Sequence, residues 1–220
     1  MAYRQTERVV RKLAARREAI LAAAYDTLAE KGISAIQIAP IAERAGIAAG
    51  TVYRYFPSKT ELVAAVVAGL SDEEIAAIER AAAAAPGPLS ALAAAIATFA
   101  MRAIARRRLV LALMAEPIEP ELDSALASYR RALAAEFEKL IRKALEGSHL
   151  QHQDAALAAP ALIGALIEGL IGPLAPAALH DPAEMRAHAQ RLTLFALRAL
   201  GVVDARARGL VVQAAVQEQV

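Results

Sequence analysis

The chain is predicted to be all-α, and three observations carry that prediction. Hydrophobic residues make up 57% of the 220 residues while aromatics make up only 4%. Alanine fills the difference, and alanine favours helix most strongly and lets helices approach closely. Apolar residues recur at three- and four-residue spacing, as at Ile20, Ala24 and Leu28, which gathers them on one helical face. No segment shows the sustained β-branched alternation, bounded by turn residues, that marks strands.

Residues 1–12 carry Arg4, Arg8, Arg11 and Lys12 with little to bury, and read as a mobile basic arm that can touch the DNA backbone or minor groove, or stay solvated. From Leu13 a stripe of Ile20, Leu21, Ala24 and Leu28 ends at Lys31 and Gly32, a basic last turn followed by a glycine cap. Ile38, Ile41, Ala42 and Ala45 then recur at helical spacing, with Gly46 able to take the left-handed cap and Ile47 as an apolar plug. Thr51 to Phe56 makes a second short helix that Pro57 stops. This is the order of a helix-turn-helix, whose second helix lies in the major groove of DNA. Ser58 and Glu61 have capping-box spacing, and the helix they open runs through Val63, Val66, Val67, Leu70, Ile75 and Ile78 to Pro86-Gly87-Pro88. That helix links the reading module to the larger part.

Beyond Pro88, apolar periodicity predicts helices over Leu89–Ala105, Leu109–Ala115 (ended by Pro117 and Pro120), Glu121–Glu146 (ended by Gly147) and Ala155–Ile171 behind an Asp154 cap. Asp181, Pro182 and Glu184 supply an N-cap, a first-turn proline and an acid for a last long helix that Gly201 ends. The count is about nine helices. The expected domains are a helix-turn-helix unit at 13–60 and a helical ligand-binding and dimerisation unit at 61–201, with terminal segments 1–12 and 202–220. The second of these segments packs as a further helix or stays mobile.

The runs IAERAG, GTVYRYF and SKTEL closely resemble the N-terminal domain of TetR-family transcriptional regulators, over roughly residues 15 to 70. Gly50, Thr51, Tyr53, Tyr55, Phe56, Lys59 and Leu62 fall at the family's spacing. The resemblance implies a homodimeric, all-helical repressor that binds a palindromic operator in double-stranded DNA and whose C-terminal helices bind a small molecule. The segment EPIEPELDSALASYRRAL also resembles the sensor domains of one large TetR subgroup.

The candidate DNA-binding residues are Gln37, Ala49, Gly50, Thr51, Tyr53, Arg54, Tyr55 and Lys59. The Tyr53 ring suits a thymine methyl or sugar and its hydroxyl a phosphate; Thr51 serves phosphate or base, and Arg54 a guanine or a phosphate. Gly50 permits close approach to the groove, and Tyr55 and Lys59 resemble the family's backbone-positioning residues. Ala48 and Ala49 stand where the family has a capping hydroxyl and a polar reader, and Ala39 where a polar contact is frequent. Discrimination therefore leans on Arg54, Tyr53, Gln37 and DNA shape.

Phe99, Met101, Met114, Tyr129, Phe137 and Glu168 are candidate pocket residues, since an apolar pocket with few polar groups is the usual small-molecule site. They imply a hydrophobic or weakly polar effector that Tyr129 and Glu168 orient. Each also reads as ordinary core. For assembly, the helix from Ala155 is apolar on nearly all sides, with Leu162, Leu166 and Leu170 on one face, and the last long helix offers Leu192 and Phe195. A second subunit or an intramolecular core covers them.

Charge is unevenly placed: residues 1–60 hold ten Lys or Arg against five Asp or Glu, a balance of +5, and residues 61–220 fifteen against eighteen, a balance of −3. The basic end is the one that would meet phosphate. Cysteine is absent, which is compatible with a cytoplasmic location, and no signal peptide is apparent. The nearest membrane-span candidate, Ala155–Ile167, is thirteen uncharged residues closed by Glu168, too short to cross a bilayer. His149 and His152 flank a loop with only Asp154 near, and Glu116, Glu119, Glu121 and Asp123 are interrupted by prolines. No metal, cofactor or catalytic residue is expected, and no enzyme. The alternative to a regulator is a helical small-molecule-binding or carrier protein that has lost sequence-specific reading.

Overall fold

The computed structural model describes residues 2–114, 122–147, 149–172, 175 and 181–217. Among them the chain forms ten α-helices, one 3-10 turn and no strand: α1 (Ala2–Lys31), the turn Ile33–Ala35, α2 (Ile38–Arg44), α3 (Ala49–Tyr55), α4 (Lys59–Ala83), α5 (Pro88–Ala105), α6 (Arg107–Met114), α7 (Asp123–Glu146), α8 (Ala155–Ile171), α9 (Pro182–Ala199) and α10 (Asp204–Gln217). The all-α expectation holds.

The main differences from the sequence reading lie at three places. Residues 2–12 are helical instead of a mobile arm, because no glycine or proline interrupts the chain before Gly32 and Val9 and Leu13 continue the apolar spacing. The short helix expected from Thr51 begins at Ala49. The undecided tail is α10, so ten helices stand where about nine were expected. Glu116, Glu119, Glu121, Pro117, Pro120 and His180 lie outside the described residues.

The chain divides into two compact units, Met1–Gly69 with Ala112–Leu126, and Leu70–Leu111 with Ala127–Val220; the division falls inside α4. In the first, Ile20, Ala24 and Leu28 of α1 are fully buried with Ile36, Ile41, Val52, Leu62 and Val63, each large aliphatic contributing about 1.5–3 kcal/mol. Gly46 follows α2 at φ 67°, a conformation that costs L-residues with a Cβ, and Ile47 N–H returns to the Ala42 carbonyl at 3.0 Å. Arg44 grips both Glu30 oxygens at 2.8 and 2.6 Å, tying the end of α2 to α1. The Glu61 N–H donates to Ser58 Oγ at 3.1 Å, as a capping box requires.

In the second unit α5 packs against α8, α9 and α10. It is long and apolar enough to cross a bilayer, more so than the Ala155 helix singled out from sequence, yet 67% of it is buried in its own chain. Asp154 and Asp181 cap α8 and α9, each accepting an N–H at 2.9 Å from Ala156 and Ala183. Where α8 crosses α9, a Cβ on Gly169 would stand 2.7 Å from Leu192, and His188 Nε2 sits 3.0 Å from the Gly169 carbonyl. Glycine here is a condition of close helix approach.

Candidate functional site

α3 has one inward side. Val52 is fully buried and Phe56, which closes the helix, is 3% exposed, with the Arg17 guanidinium 5.3 Å from its ring centroid. The opposite side holds the expected DNA-contacting residues. Tyr53 is 52% exposed, Gly50 and Arg54 are exposed, and Ala49 and Thr51 are half-buried at the margin. Gln37, at the start of α2, is exposed; Tyr55 and Lys59 are half-buried. On the open side of α3, Tyr53 and Arg54 present side-chain donors to solvent.

Two details of that surface bear on what it can hold. The Tyr55 hydroxyl is enclosed and has no hydrogen-bond partner, a state that costs about 1–3 kcal/mol until a partner arrives. Ala48 begins α3 with no side-chain cap, as the sequence implied, and Gln37 likewise provides none for α2.

Five of the six candidate effector residues fall in the second unit, in distinct places, and Met114 falls in the first. Phe99 and Phe137 meet edge to face, centroids 6.1 Å apart, and both are buried. Tyr129 is buried; burial pushes its hydroxyl well above the usual range, and the charge of Glu74 adds to the effect. Met101, half-buried, lines a crevice with Arg186, Gln190 and Thr193 instead. Glu168 is exposed on α8, while Leu166, Leu170 and Ile171 take the inward side. Met114 closes α6, and its side chain lies outside the described residues.

Sequence reasoning missed a charged cluster beside Tyr129. Arg102 Nε donates to Glu74 Oε2 at 2.9 Å and Arg102 Nη2 to Glu73 at 3.1 Å, while Arg106 reaches Glu73 at 2.6 Å. Glu73, bonded first by Arg106, is held down at about 2. Glu74 moves the other way, because burial outweighs its bond to Arg102. Its Oε1 is buried with no partner, an acceptor available to a donor on a bound molecule.

The assembly residues also sort by burial. Leu162, Leu166 and Leu170 are 5%, 0% and 1% exposed within the single chain, so they belong to its own core and are not free for a partner. α8 turns a different side outward: Leu157 is 69% exposed and Phe195 of α9 54% exposed. With Ala158, Ala161, Ala165 and Ala199 they line a shallow apolar depression of about 340 Å³. Leu192 is half-buried against Gly169. Among the described residues no group of three His, Cys, Asp or Glu is placed to hold a metal.

The family model for bacterial regulatory proteins of the tetR family matches residues 20–66. Over 53 residues the chain is 45% identical to the transcriptional repressor KstR of Rhodococcus jostii, covering 24% of this chain and 25% of that protein. The chain thus spans about a quarter of the length of the curated relatives it matches. Structural likeness extends much further. The RolR structure with resorcinol aligns over 92% of this chain and 95% of its own, at 22% identity and TM-score 0.67. FadR of Bacillus subtilis in complex with stearoyl-CoA aligns over 80% and 97%, at 19% identity and TM-score 0.66.

Proposed function

Because the chain carries the N-terminal module of the tetR family of bacterial regulatory proteins on a fold shared with such regulators, we propose that it is a ligand-responsive, homodimeric transcriptional repressor. The observation that carries this reading is the two-sidedness of α3: Val52 and Phe56 hold it to the core, while Gly50, Tyr53 and Arg54 stand open to a duplex. A two-fold dimer presents two such helices about 34 Å apart, one helical turn of DNA, and so selects a palindrome. In this reading residues 13–60 read DNA and 61–201 sense and dimerise, through the open face of Leu157, Phe195 and the alanines between them. It acts in the cytoplasm, where its DNA is, and performs no chemistry on its ligand.

The effector is an apolar molecule held in the second unit beside Tyr129, Phe99 and Phe137, carrying a hydroxyl or amine that donates to Glu74 Oε1. KstR is a repressor, and RolR and FadR were crystallised with resorcinol and stearoyl-CoA; neither molecule is transferred to this chain. A ligand that prefers the conformation with mismatched helix spacing weakens DNA binding by that preference. The deciding experiment selects bound sequences from a random duplex library near physiological salt, with wild type and Tyr53→Ala. An inverted repeat lost in the variant supports the repressor. No enriched palindrome overturns it in favour of a small-molecule carrier.

A further inference from the structure

α1 is longer than its core requires. Packing begins at Ile20, and every residue from Glu7 to Ala19 is exposed. Residues 7–16, about 15 Å of helix at 1.5 Å per residue, are therefore exposed along their whole length. The point of departure is fixed: Arg17 lies over Phe56, the residue closing α3, next to the Ser58 and Lys59 start of α4. Along the unsupported part, Arg8, Lys12 and Arg16 recur every four residues and Arg11 falls on the same side, so one helical face is a row of cations. On that face Arg11 pairs with Glu7 at 3.2 Å.

We propose that this N-terminal extension of α1 is a second DNA-contacting element, a basic helix that follows the phosphate backbone beyond the half-site read by α3. The inference rests on the DNA-binding role proposed above and adds residues that the recognition helix does not include. Charge and position favour DNA over other occupants: the cation row lies on the same helix as Arg17, which stacks over Phe56, the residue closing α3. The contact reads no sequence, and its signature is therefore electrostatic, each phosphate contact adding about 0.9 to the slope of log affinity against log salt.

The test compares wild type with Arg8→Gln/Lys12→Gln/Arg16→Gln and with a charge-matched control, Arg131→Gln/Arg142→Gln/Lys143→Gln on α7. Affinity for the selected operator and for a mixed-sequence duplex is measured across about 50–200 mM salt, with folding of each variant checked by thermal unfolding. The α1 variant is expected to lose about 2–3 from the salt slope on both duplexes, so its affinity falls about 40-fold less across that range, while the control keeps the wild-type slope. Equal slopes for wild type and the α1 variant, or equal loss in the control, overturn the proposal while leaving the repressor reading intact. Absence of salt-dependent binding by wild type overturns both. Val9 and Leu13, 56% and 45% exposed beside the cation row, make an anionic membrane the competing partner. Loss of flotation with phosphatidylglycerol vesicles, with an unchanged DNA slope, would assign the helix to lipid and refute the DNA contact.

Discussion

Gly50→Ala separates what α3 needs for folding from what it needs for DNA. Gly50 is the second residue of α3, and a methyl built there meets no atom of the chain within 4 Å. Nothing in the fold therefore demands glycine. Replacing glycine by alanine inside a helix gains about 0.5–1 kcal/mol, and for a chain of this length each kcal/mol moves Tm by about 2–4 °C. The variant should melt about 1–4 °C higher. If the same methyl stands between α3 and a groove floor, it acts as an overpacked contact costing about 1–3 kcal/mol, or roughly 5–150-fold in affinity. Calorimetry gives the first number and fluorescence anisotropy on the selected operator the second. Raised Tm with unchanged affinity would show that α3 does not approach DNA through Gly50, and the assignment of its open side would fail.

Gly46→Ala should act oppositely: no atom crowds the site, so its φ of +67° alone sets a cost of about 1–2 kcal/mol, visible as a drop in Tm that Gly46→Asn partly restores. The two carboxylates of the charged cluster predict opposite pH limbs. Glu73 is lowered to about 2 from 4.5, so its stabilisation is present above 4.5 and lost as pH falls towards 2; Glu73→Gln should flatten the acid limb of a Tm–pH curve there. Glu74 is raised by burial, so its contribution is present below 4.5 and lost as pH rises through its folded value; Glu74→Gln should remove that decline. Leu157→Glu/Phe195→Glu places charge on the open α8/α9 face and should halve the sedimentation mass without lowering helicity, whereas an unchanged mass would move the dimer contact elsewhere.

What was legible in the sequence was written in local rules. Asp154 and Asp181 announce their helices by bonds within two residues, and Gly46 announces the turn by a conformation few other residues adopt. The beginning of α1 was not legible, because a charged stretch without glycine or proline reads equally as a soluble arm or a helix. Nor was the orientation of α8: a helix apolar on nearly all sides has no pattern to say that Leu162 and Leu166 turn inward and Leu157 outward. The bond from Arg102 to Glu74 spans 28 residues and depends on how two helices rotate about their axes, which spacing alone does not encode. The Tyr55 hydroxyl is a subtler case: its residue type was read as DNA-facing, but its enclosure without a partner is visible only in three dimensions.

The open face of α8 and α9 has a consequence in mass action. If Leu157 and Phe195, uncovered in one chain, are covered in the proposed dimer, folding stability and subunit association become linked, and dilution weakens both together. At concentrations below the dimer's dissociation constant the population of paired chains falls with the square of total protein, so a modest fall in synthesis empties a two-half-site operator more than proportionally. A shallow apolar surface some distance along the chain from α3 thereby turns the cell's copy number into a steeper input than binding by single chains would give.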